Sequence, residues 1–356
     1  MVAITGHHHD LGVMTKGLDR WLARRWPTAQ DIRVHDVEYF EYSGLSNETA
    51  GLWVTWRENG DDKKQKMILR LPPAGGRGVF QEYDLVKQAR IQTVLAGAGY
   101  PTVPPVGVEV NEEFLGSKFM LMPFVAGNIP ANNDFFSGGW IVGLSPDQRR
   151  ELCTNFVQTL AAIHRADWDK LGLRDVARRG VPGLEAEWHW WQDYRAWADM
   201  DGEPKESALV ERLAQWCLER WPASEPPSSV VWGDARIGNV IFADDLSVRA
   251  ALDWETVTIA PAEVDLGWYF ACRRLLQEAL GVTNGAELEG FPTEDGDLQV
   301  WEAAVGRSVA DFEWYLMFGA LRTATCVLAI RRAARLSGND EWLQTGVLPE
   351  WVMAQI

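Results

Sequence analysis

The chain has little to offer chemistries that depend on thiols, imidazoles or positive charge. Its four cysteines, Cys153, Cys217, Cys272 and Cys326, are scattered with no Cys-x-x-Cys pair. That spacing excludes a zinc ribbon and a disulfide framework and leaves free, buried thiols as the expected state. Of six histidines, three form the run His7-His8-His9, which near a terminus reads as a solvated turn rather than a metal site. Lys and Arg number 34 against 50 Asp and Glu, a net charge of −16. Phosphate backbones and anionic lipids recruit basic residues, so neither nucleic acid nor a membrane surface is an expected partner. No uncharged run reaches the ~18 residues of a membrane span. The longest apolar helical pattern, Trp314 to Ile330, is broken by Arg322. The first residues lack a charged-then-apolar leader, and the expected location is cytoplasmic. Two catalytic signatures are also missing. No Gly-Lys-Ser/Thr follows Gly75, Gly76 and Gly78, which excludes a Walker loop. Gly44-Leu45-Ser46-Asn47-Glu48 lacks the second glycine of a nucleophile elbow, which leaves a serine hydrolase poorly supported.

What is present is the make-up of a folded protein, 47% hydrophobic and 24% charged, with an unusual 19 tryptophans. A length of 356 residues favours two lobes. Leu18, Trp21, Leu22 and Trp26 recur at helical spacing and predict an amphipathic helix ending near Pro27. Alternating patterns then predict strands over 34–42, 49–57 and 66–71, with Asn59-Gly60-Asp61-Asp62 as a hairpin turn. Pro72, Pro73 and the three glycines interrupt the chain before a helix faced by Val79, Tyr83, Val86 and Ala89. Strand-like runs return at 106–110 and 118–124. After Gly127 the long segments are helical in pattern: 146–166, 185–200, 207–221, 262–281 and 311–336. Within them, Val230 to Asp253 alternates short apolar runs with polar loops, the arrangement that puts polar side chains at strand ends.

That segment carries the chemistry. Asp234 and Asn239 form Asp-x-x-x-x-Asn, and Asp253 closes a later strand. A loop and an adjacent hairpin can bring two carboxylates and one amide together, a set for nucleotide phosphates and magnesium. Kinase catalytic loops use the same spacing, with the first Asp receiving the hydroxyl and the Asn and later Asp holding Mg²⁺.

At this point the sequence resembles the aminoglycoside phosphotransferase and choline kinase family, in its bacterial branch. The matching text is Val231-Trp232-Gly233-Asp234-Ala235-Arg236-Ile237-Gly238-Asn239-Val240-Ile241-Phe242, then Ala251-Leu252-Asp253-Trp254-Glu255, then Glu263-Val264-Asp265-Leu266-Gly267-Trp268. Leu160 to His164 looks like the helix before the catalytic loop, and Met120 to Gly127 like the hinge that holds adenine. The resemblance implies a two-lobe, protein-kinase-like α+β fold, with a small antiparallel-sheet lobe over 1–126 and a large, mostly helical lobe over 127–356. ATP with Mg²⁺ is then expected between the lobes, and a small-molecule hydroxyl acceptor on the helical side.

Residue by residue, the resemblance implies Asp234 as catalytic base, Asn239 and Asp253 as magnesium ligands, and Asp265 as a buried carboxylate supporting the loop. Ser43, Gly44, Ser46 and Asn47 fall where the family covers the phosphates, Arg70 where a Lys usually reaches them, and Met122, Pro123 and Val125 in the hinge. Glu82 is the expected partner of Arg70. Two departures stand out: Arg70 for Lys, and Trp232 where the family usually has His. The indole is expected to keep the packing and give up a hydrogen bond. These departures keep open a catalytically weak or inactive nucleotide-binding module beside the kinase reading. Trp190, Trp191 and Tyr194, in the run after Trp188, are compatible with a helical core or with an acceptor pocket. His164 is expected to be a satisfied packing histidine.

Overall fold

The computed structural model describes residues 9–40, 46–73, 78–130, 139–200, 202, 204–279, 289–338 and 346–356. The chain divides into two compact units: Met1–Thr93 with Val103–Phe124 and Ala329–Thr345, and Val94–Thr102 with Val125–Leu328 and Gly346–Ile356.

In the first unit, α1 (Leu11–Arg25) starts at Asp10, whose side chain accepts a hydrogen bond from the Val13 amide. A carboxylate there satisfies a donor that the first turn leaves unpaired. The expected stripe turns inward as Met14, Leu18, Trp21 and Leu22. It packs on an antiparallel sheet of β1 (Gln30–Tyr39), β2 (Glu48–Glu58), β3 (Asp61–Leu71), β4 (Gly107–Glu109) and β5 (Phe119–Pro123), in the order β1-β2-β3-β5-β4. Leu52, Val54, Met67, Leu69, Phe119 and Leu121 supply the sheet side of this core. Glu58 pairs with Asp61, and Asn59 and Gly60 both have positive φ, 52° and 86°. That is the geometry of a type I′ hairpin, which matches the twist of the flanking strands.

Two expectations are corrected in this unit. Helix α2 (Leu85–Gly97) begins later than its apolar pattern suggests, because the Asp84 side chain accepts from the Lys87 amide and caps it. Val79 and Tyr83 are buried ahead of the helix, whereas Val86 is exposed. His9 is not a solvated turn residue: its Nδ1 lies 2.9 Å from Glu48 Oε2, and its carbonyl accepts from the Tyr39 hydroxyl. His7 and His8 lie outside the described residues.

The second unit holds α3 (Gly139–Val142), α4 (Pro146–His164), α5 (Leu184–Ala198), α6 (Pro204–Glu219), β6 (Ser228–Val231), β7 (Val240–Phe242), β8 (Val248–Ala251), β9 (Thr258–Pro261), α7 (Glu263–Ala279), α8 (Glu294–Val305) and α10 (Glu350–Met353). It also holds α9 (Phe312–Ser337) as far as Leu328. Ser145 and Gln148 close a capping box at the start of α4. β6 pairs with β9, and β7 with β8, both antiparallel. Helix α8 was not expected, because Gly296 and four acidic residues obscure its pattern; the Thr293 side chain caps it and Trp301 is buried from it. β9 was also missed.

Helices α7 and α9 cross at backbone contact. A Cβ at Gly267 would lie 2.0 Å from the Tyr315 carbonyl oxygen, and one at Gly319 2.2 Å from that of Gly267. No side chain fits there, so two glycines set the distance between the helices that carry Trp268 and Arg322. Gly267→Ala should destabilise the protein by about 3 kcal/mol, as overpacking does. A urea midpoint unchanged from the parent would mean that the crossing relaxes without cost.

Candidate active site

The loop after β6 is suspended from one carboxylate. The Trp232 and Gly233 amides donate to Asp265 Oδ2 and Oδ1 at 2.6 and 2.8 Å. Asp265 is fully buried in the first turn of α7. His164 Nε2 lies 3.1 Å from Asp265 Oδ2, and Trp301 Nε1 donates to His164 Nδ1 at 2.9 Å. An indole can only donate, so Nδ1 is the acceptor and Nε2 carries the proton that faces Asp265. His164 is thus a satisfied packing residue. Gly233 has φ +94°, and a Cβ there would meet the Thr256 carbonyl oxygen at 2.5 Å, so this position requires glycine. The Gly233 carbonyl accepts from Arg322 Nη2 at 2.7 Å.

Trp232 keeps a hydrogen bond, contrary to expectation. Its Nε1 donates to the Leu252 carbonyl at 2.7 Å, and its ring packs against Trp254 at 5.7 Å. The indole therefore ties the loop to the segment that delivers Asp253.

Asp234, half-buried and two residues after Trp232, is held on both oxygens. Oδ1 accepts from Arg236 Nε and from Trp268 Nε1, each at 2.9 Å, and Oδ2 accepts from Asn239 Nδ2 at 2.7 Å. The Asn239 amide also donates to the Asp234 carbonyl at 3.0 Å. Both bonds use the nitrogen, which orients Asn239 Oδ1 away from Asp234 as an available oxygen donor. Asn239 and Asp253 leave the same end of the β7–β8 hairpin: Val240 pairs with Ala251, and the Leu252 amide donates to the Asn239 carbonyl at 2.8 Å. Asp253 then turns with φ +56°, a left-handed conformation uncommon for a residue with a side chain. Burial works against the Arg236 charge, but Asp234 leads the opposing interactions, Asp253 among them, and its pKa ends above the ordinary value.

A second charged layer lies behind the loop. Arg322 is fully buried with its guanidinium 4.8 Å from the ring centroids of both Trp191 and Trp268, and its Nη1 donates to the Val264 carbonyl. Burial pushes its pKa down, and the charges of Glu187 and Asp265 resist that. Glu187, also fully buried, accepts from Arg178 Nε and Trp191 Nε1, both at 2.7 Å. Arg178 also donates to the Thr256 carbonyl and stacks 3.8 Å from the Trp190 ring centroid. Burial alone would raise the Glu187 pKa, but Arg178 and Arg322 reverse this and hold it below its usual 4.5.

The aromatic residues expected near an acceptor divide by exposure. Trp191 and Tyr194 are buried, and Trp190 is half-buried beneath Arg178. Trp191 nonetheless lies only one ring from the site, 6.3 Å from Trp268. Cys272 and Cys326 are half-buried and free, and Cys153 and Cys217 are buried. Burial, with the Asp234 charge adding to it, pushes the Cys326 thiol up to about 12 and that of Cys272 higher still. Neither is a thiolate nucleophile at neutral pH.

Among the other expected positions, Ser43 and Gly44 lie outside the described residues. Asn47 is buried and Ser46 half-buried just ahead of β2. Arg70 is buried in β3, where it pairs with Thr49 and Met120. Glu82 is exposed ahead of α2, and Gln88 is buried within it. Met122 and Pro123 end β5, and Val125 follows, half-buried. Sequence reasoning did not single out Trp268, Arg236, Arg322 or Trp301. Arg322 had a usable signal, since a lone Arg inside an apolar helical pattern needs buried partners.

This fold, with its loop and hairpin, is that of a kinase-like phosphotransferase. The chain belongs to the phosphotransferase enzyme family, whose model matches residues 49–299. Among solved structures it is similar to a candidate aminoglycoside phosphotransferase from Ralstonia eutropha, at 21% identity and TM-score 0.64, covering 96% of this chain and 97% of that one. It is also similar to an ethanolamine kinase from Plasmodium vivax, at 10% identity and TM-score 0.55, covering 90% and 84%. Among curated proteins it is 28% identical over 239 residues to acyl-CoA dehydrogenase family member 11 of Rattus norvegicus, matching 65% of this chain but only 28% of that protein's length. No helix among the described residues is long and apolar enough to cross a membrane.

Two predictions follow from the buried charges. Asp265→Asn replaces an acceptor of two amides with a group that offers them one oxygen, and should cost about 3–5 kcal/mol as broken buried charge networks do; denaturant titration measures it. Because the folded pKa of Glu187 lies below 4.5, its contribution to stability is present above that pH and is lost as pH falls toward the folded value. Denaturant midpoints measured below pH 4.5 should therefore decline less steeply for Glu187→Gln than for the parent.

Proposed function

We propose that the protein transfers the γ-phosphate of ATP to a hydroxyl of a small molecule, with Asp234 as the base. The observation that carries this reading is the fixing of Asp234. Its main chain hangs from Asp265 and Arg322 through Gly233, and its carboxylate is held by Trp268, Arg236 and Asn239. Phosphoryl transfer asks little covalent chemistry of a protein and depends on placing the nucleophile and stabilising charge.

Oδ1 takes two donors and Oδ2 one, so Oδ2 is the oxygen with room to receive an acceptor hydroxyl. In that role Asp234 orients the hydroxyl toward the γ-phosphorus and takes its proton as the new ester bond forms and the bond from the γ-phosphorus to the β-phosphate oxygen breaks, releasing ADP. Asn239 and Asp253 fit Mg²⁺, because they offer an amide oxygen turned away from Asp234 and a carboxylate at one hairpin end, and hard cations prefer oxygen. Bound there, the ion would neutralise charge on the nucleotide phosphates. Arg70, with Ser43, Gly44, Ser46 and Asn47, is the proposed phosphate contact of the first unit, and Met122, Pro123 and Val125 the adenine contact. Glu82 is the proposed partner of Arg70. Of the aromatic residues expected at the acceptor, half-buried Trp190 is the proposed contact, whereas Trp191 and Tyr194 are buried and belong to the core behind it.

The reading of a weak or inactive module drew on Trp232. The Trp232 bond to the Leu252 carbonyl supports the active reading instead, because the loop keeps its tether.

The test is nucleotide consumption, ATP and GTP in parallel, against a panel of amino sugars, amino alcohols and hydroxy acids. Phosphorus NMR would locate the product ester. Asp234→Asn should bind nucleotide as the parent does and lose at least about a hundredfold in turnover. Turnover in that variant equal to the parent's would remove Asp234 from the role of base.

A further inference from the structure

We infer that Trp268 is a positioning residue for Asp234, and that the buried Arg322 sets Trp268 in place. The inference rests on the phosphotransferase reading for its kinetic consequence but not for its geometry.

Trp268 Nε1 is 2.9 Å from Asp234 Oδ1, the oxygen that also receives Arg236. A carboxylate on one rotatable side chain can swing about its bonds. Donors on a single oxygen from two different segments, the loop and α7, stop that swing. They saturate Oδ1, and Oδ2, which takes one bond from Asn239, keeps the remaining place for substrate. Arg236 cannot do this alone, because it is part of the same loop and moves with Asp234. Trp268 is buried and belongs to α7, the helix that also carries Asp265. The main-chain anchor and the side-chain anchor of the loop therefore share one rigid frame.

Arg322 completes this frame from α9. Its guanidinium lies over the Trp268 ring at 4.8 Å while Nη2 holds the Gly233 carbonyl, the one immediately before Asp234. A cation on the face of an indole is attracted to the ring and draws electron density from its edge, which makes the N–H a better donor. One buried cation thus fixes the backbone entering Asp234 and orients the group that fixes its side chain. The Gly267–Gly319 crossing brings the two helices close enough for both.

The test uses the full chain with magnesium ATP and has two arms. In the first, the Trp268 indole proton, assigned by its loss in Trp268→Phe, should exchange slowly in ¹H–¹⁵N NMR and shift in Asp234→Asn. Rapid exchange, or no response to Asp234→Asn, overturns the contact. In the second, 3-benzothienylalanine is placed at 268 to keep the ring and remove only the N–H. It should leave thermal stability and the KM for ATP nearly unchanged and lower kcat about a hundredfold, the scale expected when a reacting group is misaimed by about an ångström. Trp268→His, which restores a ring N–H, should recover part of that loss. An unchanged kcat in the analogue overturns the positioning role and leaves the kinase reading intact. If the parent itself turns over no nucleotide, the kinase reading fails, and the NMR arm still decides whether Trp268 holds Asp234.

Discussion

The carboxylate of Asp265 is the constraint on which the rest of the site depends. A loop that makes a sharp turn at Gly233 exposes main-chain amides that helix or sheet would otherwise satisfy. Two of them converge on a group closed off from bulk solvent. An isolated buried carboxylate would be costly, and here the cost is offset by three donors at hydrogen-bond distance, the third from His164. His164 can serve as donor because Trp301, from a helix far along the chain, fixes its tautomer. The result is a chain of contacts from α8 through α4 to α7 that ends at the loop.

Around this anchor, charge is arranged in two layers of different character. The inner layer consists of Arg322, Glu187 and Arg178, all nearly or fully inaccessible. Their charges alternate, and the two guanidinium groups also donate to the Val264, Gly233 and Thr256 carbonyls. It acts as framework. The outer layer consists of Asp234, Arg236 and Asp253, which are half-buried, with the buried Asn239 beside them, and these are the groups proposed to meet phosphate and metal. Aromatic rings separate the layers and also connect them, since Trp191 and Trp268 each offer a face to Arg322 and an N–H to a carboxylate.

The sequence revealed the outer layer better than the inner one. Asp234, Asn239 and Asp253 lie within one short segment, and their spacing implies a loop and a hairpin; the Val240–Ala251 pairing bears that hairpin out. The sheet of the first unit was legible from alternation and from Asn59-Gly60. The inner layer was not legible, because Arg178, Glu187 and Arg322 are brought together from three separate segments by tertiary packing alone. Even Arg322, visible as a charge in an apolar helix, carried no information about which carboxylate would answer it. Helix α8 was hidden for a local reason, its acidic first turn and Gly296. Helix α2 was shifted because an Asp84 cap outweighed the apolar pattern that began at Val79.

The indole of Trp232, at a position where a histidine was expected, has a consequence beyond shape. A histidine in such a loop gains or loses a proton within the physiological pH range, and its hydrogen-bonding pattern changes with it. The Trp232 N–H does not titrate there, and its bond to the Leu252 carbonyl is the same in mild acid as in mild base. The tether between the loop and the hairpin end that bears Asp253 is therefore a fixed dipole, and that joint of the site stays indifferent to the acidity of its surroundings.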